Sequence, residues 1–464
     1  MKKAICILLV TFLVFSFSAC TEDALQNRVA ANEDFGTNEN DSTTTVHTSI
    51  EKETSTTIKP SATTKKPTTK KTTTTTKTPT TTEVTTTTQV TTTTETSTTL
   101  QQTSQAQNPP PNVSEDFRPI TDNGFAQGNG TQTNPYVITT SEQLVYFSQK
   151  INAGEMNSGV YFALGADIDM TGVEFSPIGN STYSFSSCFD GRGFTVSNLT
   201  PTLIYEDFGN NANYSCGFFG MVENAEIKNL CLENVTITYT YASNYFTEIG
   251  ILAACVYPTR ACKITDCVVN GTIYVEADIL LVGGVAGDVY VREGAKLEVK
   301  RVQSNTKIQA RSASVSAGAI SGNFLGKGQE IFSDICVQSE ILHRSEYPSH
   351  IGAFGGVSNT TGNMQVSNCF INLNTNPKYN DNVHPLIGGI IGSHQPSGTF
   401  NFTNVYGFAD ACTELYEIPD QHLVKAENCA FTNVLPPNCN FDTEIWDITD
   451  SAAPFIKFIF KNKE

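Results

Sequence analysis

The feature that most constrains this chain is a pattern that returns at intervals of 31 to 37 residues between Ser187 and Cys429, with a last interval of 24. Each unit opens with a glycine-flanked apolar run, such as Gly217–Gly220 or Gly388–Gly392. A short polar or charged residue between apolar ones then follows, at Asn198, Asn229, Asp266, Arg301, Asp334, Asn368, Asn404 and Asn428. Such a period predicts a repeat architecture in which each unit buries its apolar face against its neighbours.

The units have the pattern of strands. Apolar and polar residues alternate with a period of two, as in the run from Val235 to Tyr239. A unit of this length holds about three short strands with turns between them, which predicts an all-β fold, a parallel β-helix of about eight coils. Because successive coils lie ~4.8 Å apart, the eight polar positions are expected to form one column. Asn tolerates the left-handed turn conformation and its amide can bond to the next amide along the stack, so we expect a structural asparagine ladder.

The net charge excludes some partners. The chain carries 29 basic and 46 acidic residues, and 10 of each lie in residues 1–108, so residues 109–464 carry the whole net charge of −17. A body this acidic is a poor candidate for binding nucleic acid, which is recognised by Lys and Arg patches. No nucleic-acid partner is expected.

The N-terminus has the pattern of an export signal. Lys2 and Lys3 precede an apolar run that ends at Phe17-Ser-Ala-Cys20. This end resembles the lipobox of bacterial lipoproteins, with Phe17 where Leu is usual, and the resemblance implies that Cys20 is lipid-modified. Residues 1–19 are therefore predicted to be a signal peptide, and acylation of Cys20 would anchor the chain to the outer face of the cell membrane. An ordinary signal peptide with an incidental Cys20 is the alternative.

Residues 20–116 are predicted to form a disordered linker. The stretch from Thr54 to Thr103 is almost pure Thr with scattered Lys and Pro, and it cannot bury enough apolar surface to offset the cost of ordering it. When extended, about 85 residues of this linker could carry a domain on the order of 200 Å from its anchor.

The body is predicted to have three parts. Residues 117–186 form an N-terminal cap and the first strands, and they include one amphipathic helix over Glu142–Asn152 with Ser141 or Thr140 as N-cap. Residues 187–440 form the coils, and residues 441–464, with the only Trp, form the C-terminal cap. Eleven cysteines lie in this body, where Cys255 with Cys262 and Cys412 with Cys439 are possible disulfides.

A resemblance to a known family rests on several motifs together. They are Gly128-x-Gly-Thr131, Asn134-Pro-Tyr136, Asp167-Ile-Asp169, Pro177-Ile-Gly179 and Phe189-Asp-Gly-x-Gly193, followed by the repeated glycine units. The combination is similar to the GLUG-repeat surface proteins of bacteria. The resemblance implies a right-handed parallel β-helix, akin to the pectate-lyase-like fold, and display at the cell surface.

The sequence names no catalytic residue, metal ligand or cofactor. Asp266 and Asp334 are expected two coils apart, at ~9.6 Å, which is close to the spacing of glycosidase carboxylates. Arg301 falls between them, so an ionic segment of the ladder is the simpler interpretation. The histidines occur singly, and no Asp-rich loop predicts a calcium site.

Binding is the function that the sequence favours. The two longest interruptions of the period carry tyrosines that could stack on sugar rings or contact a protein, namely Tyr205, Tyr214, Tyr239, Tyr241 and Tyr245. We therefore expect a lipid-anchored surface protein for adhesion or for binding polysaccharide or a host or cell-wall component. The alternatives are a polysaccharide lyase or glycoside hydrolase on the same fold, and a structural spacer without a ligand.

Overall fold

The structure, a computed structural model, describes residues 124–156, 158–207, 212–240, 246–345, 349–375, 386–388, 390–394, 398–409 and 424–457. The predicted signal peptide, Cys20 and the predicted linker lie outside these residues. So do Tyr241 and Tyr245 of the candidate binding loops, and Cys412.

The fold is all-β, as predicted, and its strands stack in parallel. The N-terminal strands are β1 (Tyr136–Ile138), β2 (Tyr161–Leu164), β3 (Ile168–Asp169), β4 (Cys188–Asp190), β5 (Thr195–Ser197), β6 (Ile204–Asp207), β7 (Ala212–Cys216) and β8 (Phe219–Val222). The central strands are β9 (Glu226–Lys228), β10 (Cys231–Thr240), β11 (Phe246–Gly250), β12 (Ala253–Val256), β13 (Ala261–Gly283), β14 (Ala286–Val291), β15 (Lys296–Gly318), β16 (Ser321–Gly326) and β17 (Gln329–Ser345). The C-terminal strands are β18 (His350–Gly352), β19 (Gly355–Thr360), β20 (Asn363–Thr375), β21 (Leu386–Gly388), β22 (Ile391–His394), β23 (Thr399–Ala409), β24 (Val424–Glu427), β25 (Ala430–Phe431), β26 (Trp446–Asp447) and β27 (Phe455–Ile456).

Each rung repeats the one before it with little change of register. β13 pairs with β15 from Ala261↔Lys296 to Gly283↔Gly318, and β15 pairs in turn with β17 and β18. The strands form a curved sheet of 19 strands and a second sheet of six, in the order β22-β19-β16-β14-β12-β8. Inward side chains of successive rungs fill one continuous core, which is the arrangement of a parallel β-solenoid.

The predicted number of coils was too high. The solenoid has about five full turns, where the repeat count predicted about eight. The six-stranded sheet, which supplies one side of each turn, begins at β8 and ends at β22. The ladder positions before β8 and after β22 belong to rungs that, in the described chain, lack a strand of the six-stranded sheet. A repeat signature in the sequence therefore does not guarantee a complete turn.

Glycines let the two sheets approach closely. A Cβ at Gly287 in β14 would lie 2.5 Å from the backbone nitrogen of Ile249 in β11. The glycine-flanked runs of the sequence therefore lie where the chain folds back on itself and one strand passes directly over another.

The predicted helix is present and covers the first rungs. Helix α1 (Ser141–Asn152) begins after Thr140, whose Oγ1 accepts a hydrogen bond from the backbone N–H of Gln143 at 3.3 Å. Leu144, Phe147 and Ile151 are fully buried on one face. The Phe147 ring lies 4.4 Å from that of Phe162 in β2, centroid to centroid. The helix thus supplies the apolar surface that the N-terminal strands need.

A file of polar residues follows one corner of the solenoid. Seven of the predicted positions lie in it, and each has a left-handed φ between 51° and 56°. The Asn428 amide donates to Asn404 Oδ1 at 3.3 Å, the Asn404 amide to Asn368 Oδ1 at 3.0 Å, and the Asn368 amide to Asp334 Oδ1 at 3.3 Å. These three amides donate toward the preceding rung, which gives this part of the ladder one direction.

The centre of the file is ionic. Arg301 binds Asp266 through two hydrogen bonds, one of them from Nη2 to Oδ2 at 2.6 Å. This contact raises the pKa of the Arg301 guanidinium, and the charge of Asp334 adds to the effect. The pair holds a charged group in a turn conformation that normally favours Asn or Gly.

Asn198 does not belong to this file, which corrects the sequence prediction. Asn198 follows strand β5, and β5 pairs with β10. The Asn198 side chain therefore accepts a hydrogen bond from the Asn234 amide at 2.6 Å and donates one to Asp169 at 2.9 Å. The residue that lies below Asn229 is Asp190, at 2.9 Å. The same polar signature occurs at two corners of the early rungs, and a spacing alone cannot tell the corners apart.

The C-terminal segment, residues 432–457, packs along the flank of the solenoid, where the sequence predicted a cap. β26 and β27 form an antiparallel pair, and β27 lies against β15 and β17. The buried Trp446 and Phe441 of this segment cluster with Cys336, Phe370 and Tyr406, which occupy equivalent positions on three successive rungs. The contacts of the segment therefore bury an apolar stripe on the side of the coils.

No disulfide joins two described cysteines. Cys255 and Cys262, expected above as a possible pair, are not bonded to each other, and Cys412, the possible partner of Cys439, lies outside the described residues. Burial raises the pKa of Cys216, Cys262, Cys267 and Cys336 to about 12. These thiols act as small apolar side chains.

Candidate functional site

Two files of polar side chains cross the outer face of the long strands, from one rung to the next. The first consists of Asn270, Asn305, Gln338 and Asn372, which occupy equivalent positions on β13, β15, β17 and β20. The second consists of Thr272, Lys307, Glu340 and Asn374 on the same four strands. Between the files lie Gly271, Thr306 and Ser339, which are buried. We call this surface the amide groove.

The amide groove is an open concavity of about 450 Å³. Its floor is held by hydroxyl contacts between rungs, including Thr306 Oγ1 to Ser339 Oγ at 3.1 Å. Lys307 Nζ lies 2.7 Å from Glu340 Oε2 in the second file. The groove therefore offers neutral hydrogen-bonding groups and one internally compensated charge pair.

Two of its amides are held in place by neighbouring groups. The Gln303 amide donates to Asn305 Oδ1 at 3.2 Å. The Gln338 amide donates to the carbonyl oxygen of Pro454, in the C-terminal segment, at 3.0 Å. The segment that covers the apolar stripe thus also borders the groove and fixes one of its side chains.

A second concavity, of about 370 Å³, lies beside the groove on β10, β13, β15 and β17. Its lining includes Tyr239, Tyr274, Glu276, Gln309 and Arg311. Arg311 Nη1 lies 3.3 Å from Glu276 Oε1, so here too a cation and a carboxylate are paired. Tyr274 exposes 41% of its surface, which leaves an aromatic face available next to the polar files.

The structure brings three of the candidate tyrosines together. Tyr205 and Tyr214 face each other across the antiparallel pair β6–β7, with ring centroids 5.2 Å apart. Tyr214 and Tyr239 are 5.6 Å apart. Tyr205 is 51% exposed, whereas Tyr239 packs partly on the core. This tyrosine cluster joins two loops that are far apart in sequence, and its Tyr239 lines the second concavity.

The files of the amide groove were missed in the sequence, although a signal was present. Residues 270, 305, 338 and 372 each stand four positions after a ladder residue, and 272, 307, 340 and 374 stand six positions after it. Aligning the units on the ladder would have shown Asn or Gln at the first of these offsets in four consecutive units.

The carboxylates that the sequence placed two coils apart are not arranged for catalysis. Asp266 is engaged by Arg301, and Asp334 accepts from Asn368. Within the described ranges, no three His, Cys, Asp or Glu side chains converge as a metal site would require. His343 and His350 are buried, which lowers the pKa of each to about 4.

The chain partly matches known proteins in sequence and in structure. A protein of Evansella cellulosilytica described as "Putative Gly-rich membrane protein" is 34% identical over 121 residues, which cover 25% of this chain and 13% of that protein. The crystal structure described as a "putative immunoglobulin A1 protease from Bacteroides ovatus" aligns with a TM-score of 0.38 and 17% identity, over 72% of this chain and 95% of the other. No protein-family model matches the chain.

In the ranges that the structure covers, no helix is both long enough and apolar enough to cross a bilayer.

Proposed function

We propose that this chain is a cell-surface protein that binds glycan through the amide groove, with the tyrosine cluster beside it. The observation that supports the proposal is the pair of polar files repeated over four rungs in an open concavity. An amide side chain both donates and accepts hydrogen bonds, so a file of amides matches the hydroxyl groups of a sugar chain. Exposed tyrosine rings add apolar faces on which sugar rings can stack.

Surface attachment is the second part of the proposal. The Phe17–Cys20 signature and the Thr-rich stretch that follows provide an anchor and a tether. Two acyl chains on Cys20 would supply the two signals that stable membrane anchoring needs. The partial match to a protein described as a membrane protein agrees with this location. A Cys20→Ser variant is expected to move from the membrane fraction to the medium, and continued membrane retention would refute lipid anchoring.

A carbohydrate-active enzyme is the second candidate, and the grooves favour it less. Hydrolysis by the usual mechanism needs two carboxylates across the scissile bond, about 5 Å or about 6.5–9.5 Å apart. Among the described residues, the lining of the amide groove contains one carboxylate, Glu340, and that of the second concavity contains one, Glu276. Each of them faces a cation, an arrangement better suited to holding side chains in place than to moving protons.

A glycan array probed with the full chain carrying Cys20→Ser, together with an activity screen on the same glycans, tests the proposal. Binding without turnover is expected. Turnover would indicate the enzyme, and the absence of both would indicate a structural spacer.

The tyrosine cluster has its own test. Tyr205→Ala should weaken binding at least severalfold, because it removes an exposed ring. Tyr183→Ala removes a ring of similar exposure (43%) that lies elsewhere, and it should leave binding unchanged. Equal affinities for both variants and the parent chain would remove the cluster from the site.

A further inference from the structure

We infer that the ligand of the amide groove is a linear, uncharged glycan that runs along the solenoid axis and places about one sugar unit on each rung. This inference rests on the proposed glycan-binding function and specifies its substrate class. It follows from the spacing of the files, from their charge and from the way two of the amides are held.

The spacing sets the direction of the ligand. Asn270 and Asn305 are register partners, as are Gln338 and Asn372. Between β15 and β17 the pairs Ser304↔Val337 and Lys307↔Glu340 have the same offset, which places Asn305 beside Gln338. Equivalent residues on neighbouring strands lie ~4.8 Å apart, so the four amides extend over ~14 Å. Each unit of an extended pyranose chain spans about the width of one six-membered ring. That length is close to the step between neighbouring rungs. A chain lying along the file therefore meets the same amide chemistry at every unit.

A ligand running along a strand would meet a different surface. Along β15 the outward residues change from Gln303 through Asn305 and Lys307 to Gln309 and Arg311. The spacing of alternate residues is also longer, at ~6.6 Å. A polymer of identical units finds a repeating set of partners only across the rungs.

The charge of the groove sets the class of sugar. Among the described residues that line it, Lys307 is the only cation, and Glu340 lies 2.7 Å away. A uronic acid unit would have to compete with Glu340 for Lys307 or approach an acidic protein without a partner. Neutral hydroxyl groups carry no such cost, and they find both donors and acceptors in the amides.

The amides are partly organised before the ligand arrives. Asn305 is oriented by Gln303, and Gln338 is oriented by the carbonyl of Pro454. Holding side chains in a binding arrangement lowers the entropy lost on association. The C-terminal segment thus positions one of the binding side chains of the groove through Pro454.

Calorimetry with neutral and acidic oligosaccharides of defined length tests the inference. The probes are cello-, xylo- and chito-oligosaccharides of two to six units, and oligogalacturonides of the same lengths, with the full chain carrying Cys20→Ser. The affinity for at least one neutral series should rise up to about four units and then level off. Oligogalacturonides should bind at least tenfold more weakly.

Two groove variants and a control locate the site. Asn305→Ala and Gln338→Ala should each lower the affinity for the four-unit neutral probe at least fivefold. Lys300→Ala changes a partly exposed residue of β15 outside the groove lining and should have no effect. Glu340→Gln frees Lys307 and should raise the affinity for oligogalacturonides severalfold.

The outcomes separate the inference from the proposed function. A length-independent affinity, a preference for oligogalacturonides, failure of all three neutral series, or full affinity in Asn305→Ala would overturn the inference. If the array still shows binding of another glycan, the proposed function stands without it. If the array shows no glycan binding at all, both fall together.

Discussion

At the scale of the residue, the ladder shows how one conformation selects a side chain. Seven positions in the file have φ between 51° and 56°, a region that costs most residues roughly 1–2 kcal/mol. Asn tolerates this region and can link rungs through its amide. The sequence predicted the ladder for these reasons. It could not place Asn198, because the same local signature serves two corners and only the strand pairing distinguishes them.

Asn404 offers a direct test of two contributions to stability, the tolerance of the left-handed conformation and the hydrogen bonds between rungs. It donates to Asn368 and accepts from Asn428, and its φ is 54°. Asn404→Gly keeps the conformation and loses the two hydrogen bonds, at roughly 1 kcal/mol each. Asn404→Ala loses the same bonds and adds the cost of a Cβ in the left-handed region, about 1 kcal/mol more.

The urea midpoints of the full chain should therefore fall in the order parent, Asn404→Gly, Asn404→Ala. If Ala were as stable as Gly, the conformational part of the argument would be wrong. If neither variant were destabilised, the amide bonds would contribute nothing measurable.

At the scale of the element, the sequence predicted the type of structure better than its extent. Alternation along the units predicted strands, and the period predicted their stacking. The units were expected to hold three short strands, yet β13 and β15 each run for 23 residues. These strands continue through the corner at Asp266 and Arg301, because residues on both sides of it keep their partners on the next rung.

The C-terminal segment is the element that the sequence placed least well. Its predicted role as a cap followed from its position at the end of the coils. The structure instead uses it to bury Cys336, Phe370 and Tyr406. Those residues occupy outward positions, and period-two alternation cannot indicate what will cover an apolar residue on the outer face.

Loss of Trp446 should loosen this segment selectively. Trp446 is fully buried, and its ring lies 4.5 Å from that of Phe441. Trp446→Ala should increase the rate of iodoacetamide labelling of Cys336 at least severalfold, as measured by peptide mass spectrometry, because Cys336 lies beneath Pro454. Cys369 faces the interior of the coils and should stay protected in the same sample.

A control variant checks that the effect comes from the buried ring. Phe455→Ala removes a side chain of the same segment that is 45% exposed, and Cys336 should remain protected. Equal acceleration at Cys336 and Cys369 in Trp446→Ala would indicate general unfolding and would contradict a local role for the segment.

At the scale of the whole molecule, three buried ionisable groups set the dependence of stability on pH. Burial raises the pKa of Glu330 from 4.5 to about 8, and the Thr360 hydroxyl offsets part of this shift. Burial lowers the pKa of His343 and of His350 from 6.5 to about 4. None of these values could be predicted from the sequence, because strand alternation does not reveal which polar residues point inward.

The two kinds of group act in opposite directions. Folded Glu330 keeps its proton up to about pH 8 while the unfolded chain releases it near 4.5, so the free energy of unfolding falls as the pH rises between those values. The histidines take up protons in the unfolded chain below pH 6.5 but in the folded chain only near pH 4, so the free energy of unfolding falls as the pH drops through that window. The two histidines outweigh the one glutamate below pH 6.5, and the glutamate controls the decline from pH 6.5 to about 8. Near pH 9 the buried thiols add to the decline, because the unfolded chain releases protons there that the folded chain retains.

Stability should therefore be greatest near pH 6.5 and should decline by about 1.5 kcal/mol by pH 8, since each unit of pKa difference corresponds to about 1.4 kcal/mol. Urea unfolding followed through the fluorescence of Trp446, the single tryptophan, measures this at pH 5, 6.5 and 8. Glu330→Gln should abolish the alkaline decline and keep the acidic one, whereas Glu298→Gln, which alters a surface ion pair, should keep both. A decline above pH 6.5 that persists in Glu330→Gln would show that another group controls the alkaline limit of the solenoid.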